Sequence, residues 1–389
     1  MVRRRDLAAT LFRVGLTAYG GPAIVAQIRQ AIVFEKGWLS DEEFQESVAF
    51  AQMLPGAVAI QTAAHVGWRL HGVHGAFLAL AAYSLPAFAL ILALSVGYFH
   101  FGQLPAVAAV FKALATVIVA IVVESILAMA QPALKDLRGV GLAALAAWGF
   151  FSGASALLVL LAAALVGIAL RLGRGNTPSE APPIPPRAQP RAVTAVAVLV
   201  AGALLAAAVL GSGRVNRELP ALGVTMAKIN LLSFGGGYTA VALMYQETVR
   251  HPERHWLSAK EFVDGLALSQ VTPGPVIVTG TFIGYRIGRL PGALLATVCL
   301  LLPSALLLVL LAPHFAALRR LEVVQSAVRG LLAAFIAMLL HVLAEVAKAA
   351  FVAQWAPIAS LAAILALRAR LPIVWLLLVA VAAGLLFLR

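Results

Sequence analysis

Two short glycine-rich stretches interrupt otherwise apolar sequence and have the chemistry to bind an anion. Residues Tyr19–Pro22 read Tyr-Gly-Gly-Pro, and residues Phe234–Gly237, 215 positions later, read Phe-Gly-Gly-Gly. Consecutive glycines leave backbone amides accessible, and proline cannot continue the hydrogen-bond ladder of a helix. Amides freed at the start of a helix favour an anion, because they lie at the positive end of the helix dipole. The alternative is close packing of helices through small residues.

A second pair of breaks combines proline with glycine. Residues Gln52–Gly56 and Gln270–Gly274 each begin with glutamine and end in Pro-Gly, at an offset of 218. A helix is expected to start after each break, so that its positive dipole end points back at the break. Thr272 adds a hydroxyl in the second copy. These breaks are either part of an anion site or proline kinks without a ligand.

Three pairs of cationic residues repeat, and one of them, Arg69 with Arg286, lies at loops, which favours a topology signal. Arg13 matches Lys228, and each stands six residues before the aromatic residue of its glycine stretch. Lys112 matches Arg329 at an offset of 217. A cation inside a membrane segment is costly and usually faces a cavity or a partner. Arg13 and Lys228 are therefore the best candidates to neutralise an anion, whereas extension of the Lys112 side chain to the membrane surface is a strong alternative for that residue.

One acidic residue, Glu124, lies in the middle of an apolar segment, and its match at an offset of 217 is His341. A carboxylate and an imidazole at matched positions suggest proton coupling, and pairing with a cation on a neighbouring helix is the structural alternative. The single cysteine, Cys299, excludes an internal disulfide and a metal site built from cysteines. Neither a zinc-binding histidine pattern nor an ATP-binding P-loop occurs, so we expect no metal and no cofactor.

The composition places these motifs in a membrane. Hydrophobic residues make up 62% of the chain, charged residues 12%, and the mean hydropathy is +0.96. Soluble domains are about 45–50% apolar and about 25% charged. Several apolar runs approach or reach the roughly 20 residues that a membrane helix needs. The sequence therefore predicts an all-α polytopic membrane protein surrounded by lipid bilayer. The net charge of +13 lies in loops and helix ends, which favours topology signals over nucleic-acid binding.

The chain is a duplication. Trp38–Ser40 returns as Trp256–Ser258, Gly75 returns as Gly292, and the four matched landmarks keep one order with offsets between 215 and 218. Breaks that are repeated in corresponding positions of two apolar halves are typical of transporter binding sites. The duplication therefore predicts discontinuous membrane helices that meet at one site.

Three regions follow from this duplication. Residues 1–172 form the first repeat, residues 173–218 hold a proline-rich linker and one connecting transmembrane helix, and residues 219–389 form the second repeat. In the first repeat the predicted segments are Leu7–Val33 with its glycine break, a helix opened by a capping box at Ser40 and Glu43, Ala57–Leu70, Gly75–Tyr98, Pro105–Ala130, Val140–Phe151 and Ala154–Leu170. About six segments per repeat and one connecting helix give about 13 membrane segments.

Loop charge favours an inverted-topology repeat with a cytoplasmic N-terminus. In the first repeat the loops near residues 100 and 152 contain no lysine or arginine. Their matches in the second repeat carry Arg319 with Arg320, and Arg368 with Arg370. The positive-inside rule requires this difference if the two copies cross the membrane in opposite directions.

At these motifs the chain resembles the chromate ion transporter family in its two-domain form. That family shows a Phe-Gly-Gly-Pro motif, a Trp-Leu-Ser segment and a Pro-Gly-Pro motif in each half. Here Tyr19 stands for the phenylalanine, Ala57 for the second proline, and Ile24 and Val25 where a histidine is expected nearby. The resemblance implies efflux of chromate across the bacterial inner membrane and chromate resistance. A transporter or channel for sulfate or a related oxyanion is the alternative.

These expectations define one candidate site on a chain that we do not expect to be an enzyme. The candidate substrate-binding residues are Arg13, Tyr19, Gly20, Gly21, Pro22, Gln52, Pro55, Gly56, Lys112, Lys228, Phe234, Gly235, Gly236, Gly237, Gln270, Thr272, Pro273, Gly274 and Arg329. Glu124 and His341 are the candidates for proton coupling, and no catalytic residue is expected. The coupling ion and the oligomeric state, including a homodimer, are left open.

Overall fold

The computed structural model describes residues 2–19, 21–102, 104–134, 136–172, 191–251, 253–318, 321–351 and 353–387. Within these ranges the chain is helical and contains no strand, as expected for an all-α protein. Gly20 and the proline-rich linker up to residue 190 lie outside the described residues.

The helices of the first repeat follow its apolar segments and breaks. They are α1 (Arg4–Thr17), α2 (Gly21–Arg29, continued by a π-helical turn over Gln30–Glu35), α3 (Asp41–Met53), α4 (Val58–Phe101), α5 (Pro105–Ala133), α6 (Leu137–Phe151) and α7 (Ala156–Ala169). Helix α8 (Arg191–Ser212) is the connecting helix. The predicted interruptions are confirmed, since α1 and α2 are separated at the Gly-Gly-Pro motif and α3 and α4 at Pro55–Gly56.

The second repeat has the same order of helices. They are α9 (Leu219–Leu232), α10 (Gly237–Thr248), α11 (Ala259–Val271), α12 (Thr279–Leu311, preceded by a 3₁₀ turn over Val276–Val278), α13 (Phe315–Leu318), α14 (Glu322–Ala350), α15 (Ala356–Arg368) and α16 (Ile373–Phe387). Both glycine breaks and both Pro-Gly breaks therefore separate helices, as the sequence predicts.

Matched capping boxes open α3 and α11. The Ser40 hydroxyl accepts a hydrogen bond from the Glu43 backbone amide, and the Glu43 carboxylate accepts one from the Ser40 backbone amide. Ser258 and Glu261 make the same reciprocal pair at the start of α11. Each box satisfies two of the amides that a helix N-terminus leaves without partners. The predicted capping box at Ser40 is confirmed.

Helix α4 is a tight hairpin rather than a single rod. Gly72 at the bend has φ +66° and ψ −148°, a conformation open to glycine but costly for other residues. A Cβ built on Gly67 would lie 2.2 Å from the carbonyl oxygen of Gly75. Eight residues of a straight helix would separate these two positions by about 12 Å. The two arms correspond to the predicted segments Ala57–Leu70 and Gly75–Tyr98.

Helix α12 bends in the same way at the matched position. Arg289, the match of Gly72, has φ +52°. A Cβ on Gly284 would lie 2.3 Å from the carbonyl oxygen of Gly292. The second repeat thus makes the same hairpin, although an arginine occupies the turn where the first repeat has glycine.

The two repeats interlock through matched pairs of helices. Helix α7 packs on α14 of the other repeat, and its match α16 packs on α5. A Cβ on Gly167 would lie 2.9 Å from the Gly330 Cα, and a Cβ on Gly384, the match of Gly167, would lie 2.6 Å from the Val110 Cα. Small residues let the helix backbones approach closely at both contacts. One core cluster of buried residues runs through both repeats as a result.

Five helices in the described part of the chain are long and apolar enough to cross a membrane. They lie at Val58–Phe101, Pro105–Gln131, Thr194–Ser212, Val276–His314 and Glu322–Ala350. Shorter apolar helices of 10–17 residues accompany them. Large apolar side chains such as Leu137, Trp148 and Leu165 are strongly exposed, which suits lipid contact. The protein is a multi-pass membrane protein.

Candidate functional site

The first glycine break lies between α1 and α2. Helix α1 ends at Thr17, the Ala18 amide donates the last helical hydrogen bond to the Val14 carbonyl oxygen, and Tyr19 is partly buried. Helix α2 begins at Gly21, with Pro22 in its first turn. Proline suits this place because the first amides of a helix have no partner within the helix.

The second glycine break, between α9 and α10, requires glycine for two different reasons. Gly235 has φ +85°, and a Cβ there would lie 2.2 Å from the Leu332 Cδ2. Gly236 has φ +132°, yet a Cβ there would meet no heavy atom of the described residues within 4 Å. No described side chain caps the N-terminus of α10, which starts at Gly237. Space therefore remains beside Gly236, whereas a Cβ on Gly237 would lie 2.6 Å from the Val276 Cγ1. The first amides of α10 lie at the positive end of the helix dipole.

Both Pro-Gly breaks are buried and use left-handed glycines. Gly56 has φ +102° between α3 and α4, and Gly274 has φ +113° between α11 and the turn that leads into α12. Pro55 and Pro273 beside them are buried as well. A residue with a Cβ is strained at such φ values, so glycine is required at both positions.

Two reciprocal backbone hydrogen bonds join the four breaks. The Gly56 amide donates to the Ser233 carbonyl oxygen at 2.6 Å, and the Gly274 amide donates to the Ala18 carbonyl oxygen at 2.8 Å. Ser233 and Ala18 are matched residues, and each lies just before the glycine stretch of its own repeat. Each Pro-Gly break is thus bonded to the glycine break of the opposite repeat. The four breaks therefore form two matched pairs where the repeats join.

The surroundings of the two Pro-Gly breaks differ in polarity. A Cβ on Gly56 would lie 2.7 Å from the Ser304 Oγ and 2.8 Å from the Gln61 Nε2, and the Gln61 amide hydrogen-bonds to the Ser304 hydroxyl at 2.5 Å. A Cβ on Gly274 would instead lie 2.6 Å from the Cβ of Ala87, the match of Ser304. The break of the first repeat is therefore lined by polar groups, and that of the second by a methyl group.

Next to Gln61 and Ser304, the buried side-chain amide of Asn230 bonds to two backbone groups of α12. The Asn230 Nδ2 donates to the Leu300 carbonyl oxygen at 2.6 Å, and its Oδ1 accepts from the Ser304 amide at 2.7 Å. In an uninterrupted helix these two backbone groups would bond to each other. Pro303 lies inside the helix between them and has no backbone amide hydrogen to donate. Asn230 therefore bonds to the backbone beside this proline and fixes the position of Ser304.

The two predicted glutamines are placed differently. The Gln270 Nε2 donates to the Tyr238 hydroxyl at 3.1 Å, which ties the end of α11 to the first turn of α10. The hydroxyl of Thr272 donates to the Ser269 carbonyl oxygen and is buried. Gln52 is exposed. The structure places Gln270 and Thr272 at the breaks, whereas the Gln52 side chain is exposed.

The cations that precede the glycine breaks are paired with carboxylates. Arg13 lies 2.5 Å from Glu35, with both side chains well exposed. The Lys228 Nζ donates to Glu247 at 2.6 Å. In both repeats the acidic partner follows the glycine break along the chain. The positive charge beside each break is therefore balanced within its own repeat.

The remaining charged candidates lie apart from one another. Lys112 is exposed, and the Arg329 guanidinium donates to the Leu172 carbonyl oxygen. Glu124 accepts a hydrogen bond from Arg368 at 3.2 Å. His341 is buried, and its ring meets the Phe151 ring edge to face at 4.9 Å between centroids. Glu124 therefore has the cationic partner of the structural alternative, on a helix of the other repeat.

Charges at the ends of the hairpins are organised by ion pairs. Arg69 is partly buried and lies 3.3 Å from Glu43 and 2.8 Å from Glu46, and Arg286 lies 3.1 Å from Glu261. Burial opposes ionisation of Glu261, but hydrogen bonds from Ser258 and Arg286 lower its pKa overall. These matched pairs explain why the two arginines recur near the bends.

Another charged contact crosses between the repeats. The Tyr98 hydroxyl donates to the buried carboxylate of Asp264 at 2.7 Å, and Lys260 lies 2.8 Å from the same oxygen. Sequence reasoning missed Asp264, because it lies on an amphipathic helix outside the long apolar runs. Asp264 matches Glu46, which lies beside Arg69, and this repeated acidic position was the feature of the sequence that could have identified it.

Sequence reasoning also missed a group of uncharged polar residues in α4. The buried polar atoms of α4 that have no hydrogen-bond partner among the described residues include Gln61 Oε1, Thr62 Oγ1, Tyr83 OH and Ser84 Oγ. Buried polar atoms are normally satisfied, so each exception needs a cause. These side chains carry no charge and form no break, which is why only the fold draws attention to them. The described residues contain no cluster of His, Cys, Asp and Glu suited to a metal ion.

Comparison with known proteins agrees with this two-fold layout. A family model described as chromate transporter matches residues 5–168 and again residues 220–385. A chromate transport protein of Cupriavidus metallidurans is 31% identical over 90% of this chain and 84% of its own. A chromate transport protein of Pseudomonas aeruginosa is 33% identical over 77% and 70%, and an uncharacterized transporter of Methanocaldococcus jannaschii is 32% identical over 87% and 83%. No solved structure matches the chain.

Proposed function

The chain belongs to the chromate transporter family, and from that premise we propose that it exports chromate across the bacterial inner membrane and thereby confers chromate resistance. In this proposal it is a secondary transporter that moves the anion without ATP. The homologues named chromate transport protein, which align with most of the chain, support chromate as the substrate.

The observation that carries the proposal is the pair of reciprocal backbone bonds between the repeats. The bonds from Gly56 to Ser233 and from Gly274 to Ala18 join the four helix breaks in two pairs across the interface between the repeats. Non-helical backbone at membrane depth is tolerated where protein or a polar cavity satisfies it. Binding of the anion at the paired breaks gives the freed amides such a partner.

Gly236, immediately before the first turn of α10, is the part of this break with free space beside it. The space beside Gly236 is free of other described atoms, while neighbouring Gly235 is closed by Leu332. An anion that approaches from the Gly236 side meets the N-terminus of a helix of 12 residues. In this proposal the other candidate residues have two roles. Some fix the backbone of the breaks: Tyr19, Gly21, Pro22, Gln270 and Thr272. Arg13 and Lys228 supply a positive potential, which their carboxylate partners reduce.

We also propose an inverted repeat with about 13 membrane segments and a cytoplasmic N-terminus. Arg138, at the start of α6, bonds to the Leu170 carbonyl oxygen at the end of α7, and Gly167 near that end meets Gly330 in the first part of α14. These contacts support the idea that α5 ends on the side where α14, its match, begins. Matched helices that run in opposite directions are expected of an inverted repeat.

Electrostatics supply a driving force for export. Moving one charge through 100 mV is worth about 2.3 kcal/mol, so a dianion leaving a negative interior gains roughly 4.6 kcal/mol. At about 1.4 kcal/mol per tenfold ratio, this corresponds to roughly three decades of concentration. Export therefore needs no coupled ion to run downhill, and exchange with another ion remains compatible with the fold.

Uptake of radioactive chromate into inside-out vesicles tests the proposal. Uptake should saturate with chromate concentration, accelerate when the lumen is made positive, and be stimulated by chromate already inside. A channel of the same fold would give flux that neither saturates nor responds to internal substrate. Uptake equal to that of vesicles lacking the protein would contradict chromate export, and the same assay with labelled sulfate tests the related dianion.

A further inference from the structure

We propose that an anionic phospholipid binds in a groove between α6 and α7, with an acyl chain along the groove and the headgroup at Arg138. The residues that line this groove, which we call the α6–α7 groove, include Arg138, Gly141, Leu142, Leu145, Val166 and Leu170. Its volume is about 530 Å³, within the roughly 300–1,000 Å³ of ligand pockets. None of these residues belongs to the four helix breaks, so the inference goes beyond the proposed function and does not depend on it.

The walls of the groove are one face of α6 and one face of α7. Arg138, Gly141 and Leu145 follow one another at spacings of three and four residues, so they lie on the same side of α6. Val166 and Leu170 are four residues apart and share a side of α7 in the same way. The Arg138 guanidinium donates to the Leu170 carbonyl oxygen at 3.2 Å, which joins the start of α6 to the end of α7. The groove therefore runs from this contact along both helices.

Gly141 leaves the space between the walls. A Cβ on Gly141 would meet no heavy atom of the described residues within 4 Å. Leu142 beside it is buried, whereas Leu145, Val166 and Leu170 are exposed. Both α6 and α7 are apolar helices of a multi-pass membrane protein, so these exposed apolar side chains face lipid. An open apolar groove of this kind suits an acyl chain.

Arg138, at one end of the groove, has no acidic partner among the described residues. The cations beside the glycine breaks pair with carboxylates, but no described carboxylate lies within 4 Å of the Arg138 guanidinium. Asp136, two residues earlier, instead caps α6 by accepting a hydrogen bond from the Gly139 amide at 2.7 Å. A guanidinium has five N–H donors, and the bond to Leu170 uses one of them. The others remain for phosphate oxygens, which a guanidinium binds well.

A second guanidinium adds positive charge at the same end of α7. Arg329 of α14 donates to the Leu172 carbonyl oxygen, two residues beyond Leu170, and it too lacks a carboxylate partner among the described residues. Arg171 lies between these two carbonyls in the chain and is exposed. The end of a helix carries only about half a negative charge, so positive charge remains in excess there. Arg138 contacts the headgroup in this proposal, and Arg329 acts through its potential alone.

The matched place in the second repeat has neither the arginine nor the space. At the offset of 217, Trp355 is the match of Arg138, and Ile358 is the match of Gly141. The Ile358 side chain is strongly exposed and occupies the face that glycine leaves open in α6. The difference limits this kind of binding to one phospholipid per chain, on the first repeat.

Lipid binding to the delipidated, full-length protein in a neutral detergent tests the headgroup contact. Native mass spectrometry counts the bound lipids, and the probes are phosphatidylglycerol and phosphatidylcholine with identical acyl chains. The first phosphatidylglycerol should bind roughly fivefold more tightly than phosphatidylcholine, and Arg138→Gln should bring the two Kd values within about twofold of each other. Arg214→Gln is the matched control, because it removes an exposed arginine beyond the end of α8. The control should keep the preference for phosphatidylglycerol.

Gly141→Leu tests the apolar part of the site. The new side chain fills the groove, and leucine favours a helix more than glycine does, so the fold is retained. Binding of phosphatidylglycerol should weaken roughly four- to tenfold, the equivalent of one or two buried methylene groups. Gly202→Leu is the matched control, because a Cβ on Gly202 in α8 also meets no described atom within 4 Å. Its Kd should equal that of the wild-type protein.

Three results would overturn the inference. The first is equal affinity for the two lipids, or a preference for phosphatidylglycerol that survives Arg138→Gln. The second is displacement of phosphatidylglycerol by inorganic phosphate without any effect of Gly141→Leu, which would indicate a phosphate site. The third is a dimer of the delipidated protein that Gly141→Leu abolishes, which would assign the groove to a second copy of the chain. If Arg138→Gln gives no monodisperse protein, Gly141→Leu still decides, and chromate uptake tests the proposed function separately.

Discussion

The two repeats share one backbone plan but differ in the polarity of their interiors. Gly56 and Gly274 have φ values within about 11° of each other and make matched hydrogen bonds across the interface. Yet the first faces Gln61 and Ser304, and the second faces Ala87. The duplicated backbone fixes where the helices break, and the side chains decide which break has polar partners to offer.

A second difference lies at the hairpin turns. The hairpin of α4 turns at Gly72, whereas that of α12 turns at Arg289 with φ +52°, a conformation that costs free energy in a residue with a Cβ. The same fold therefore tolerates local strain in one copy and avoids it in the other.

The largest effect is expected at the glycine with free space beside it. Gly236→Val should abolish chromate transport, because a β-branched residue is strained at φ +132° and its side chain covers the amides of α10. Gly236→Ala should also reduce transport strongly, although a Cβ there meets no described atom within 4 Å. Initial uptake rates in inside-out vesicles, at equal amounts of monodisperse protein, measure both.

Gly202→Ala is the matched control for this change. Gly202 lies within α8, and a Cβ there likewise meets no described atom within 4 Å. It has an ordinary helical conformation, so alanine should leave transport unchanged. Wild-type transport by Gly236→Ala would show that the amides of this break are not used.

An inverted repeat predicts that matched loops of the two repeats lie on opposite sides of the membrane. Leu104 and Leu321 are matched residues at an offset of 217, and both are about half exposed. In a Cys299→Ser background, cysteine introduced at each position should react with an impermeant maleimide from opposite sides of the membrane. Labelling of both from the same side would refute the inverted repeat.

Smaller effects are expected at the paired cations. Lys228→Ala and Arg13→Ala should each lower the transport rate several-fold, because they remove positive charge close to a glycine break. Arg286→Ala should change the rate less, since Arg286 lies at the hairpin turn and bonds to Glu261. Rates must be compared at equal amounts of folded protein. If Arg286→Ala lowered the transport rate more than Lys228→Ala, positive charge beside the glycine breaks would not be what supports transport.

The smallest effect concerns acid stability and one ion pair of the first repeat. A hydrogen bond from Arg29 lowers the pKa of Asp41, so the charged carboxylate is favoured in the folded state. The pair contributes stability above the ordinary pKa of aspartate, about 3.9, and this is lost as the pH falls through the lower folded pKa. Asp41→Asn should remove that part of the pH dependence of thermal unfolding. Unchanged acid sensitivity would show that the pair adds nothing.

The helix breaks were the most predictable feature of the fold. Glycine and proline act through the local backbone, so their pattern indicated the ends of α1, α3, α9 and α11 without any tertiary information. Capping at Ser40 was predictable for the same reason, since it depends on residues three positions apart. Where the predicted segments Ala57–Leu70 and Gly75–Tyr98 meet, the sequence indicated a separation but not the reversal at Gly72.

The sequence by itself determined that this protein is a duplicated, helical membrane protein with four paired breaks, because composition, repeat offsets and backbone-limiting residues are local properties. Only the tertiary structure decided which breaks contact each other, since the bond from Gly56 to Ser233 joins residues far apart in the chain. It also showed that Arg13 and Lys228 have acidic partners and that Gln61, Thr62, Tyr83 and Ser84 have unpartnered oxygens. Neutral polar residues leave no periodic or charge signal in a sequence, and their importance depends on burial and on what stands opposite them in space.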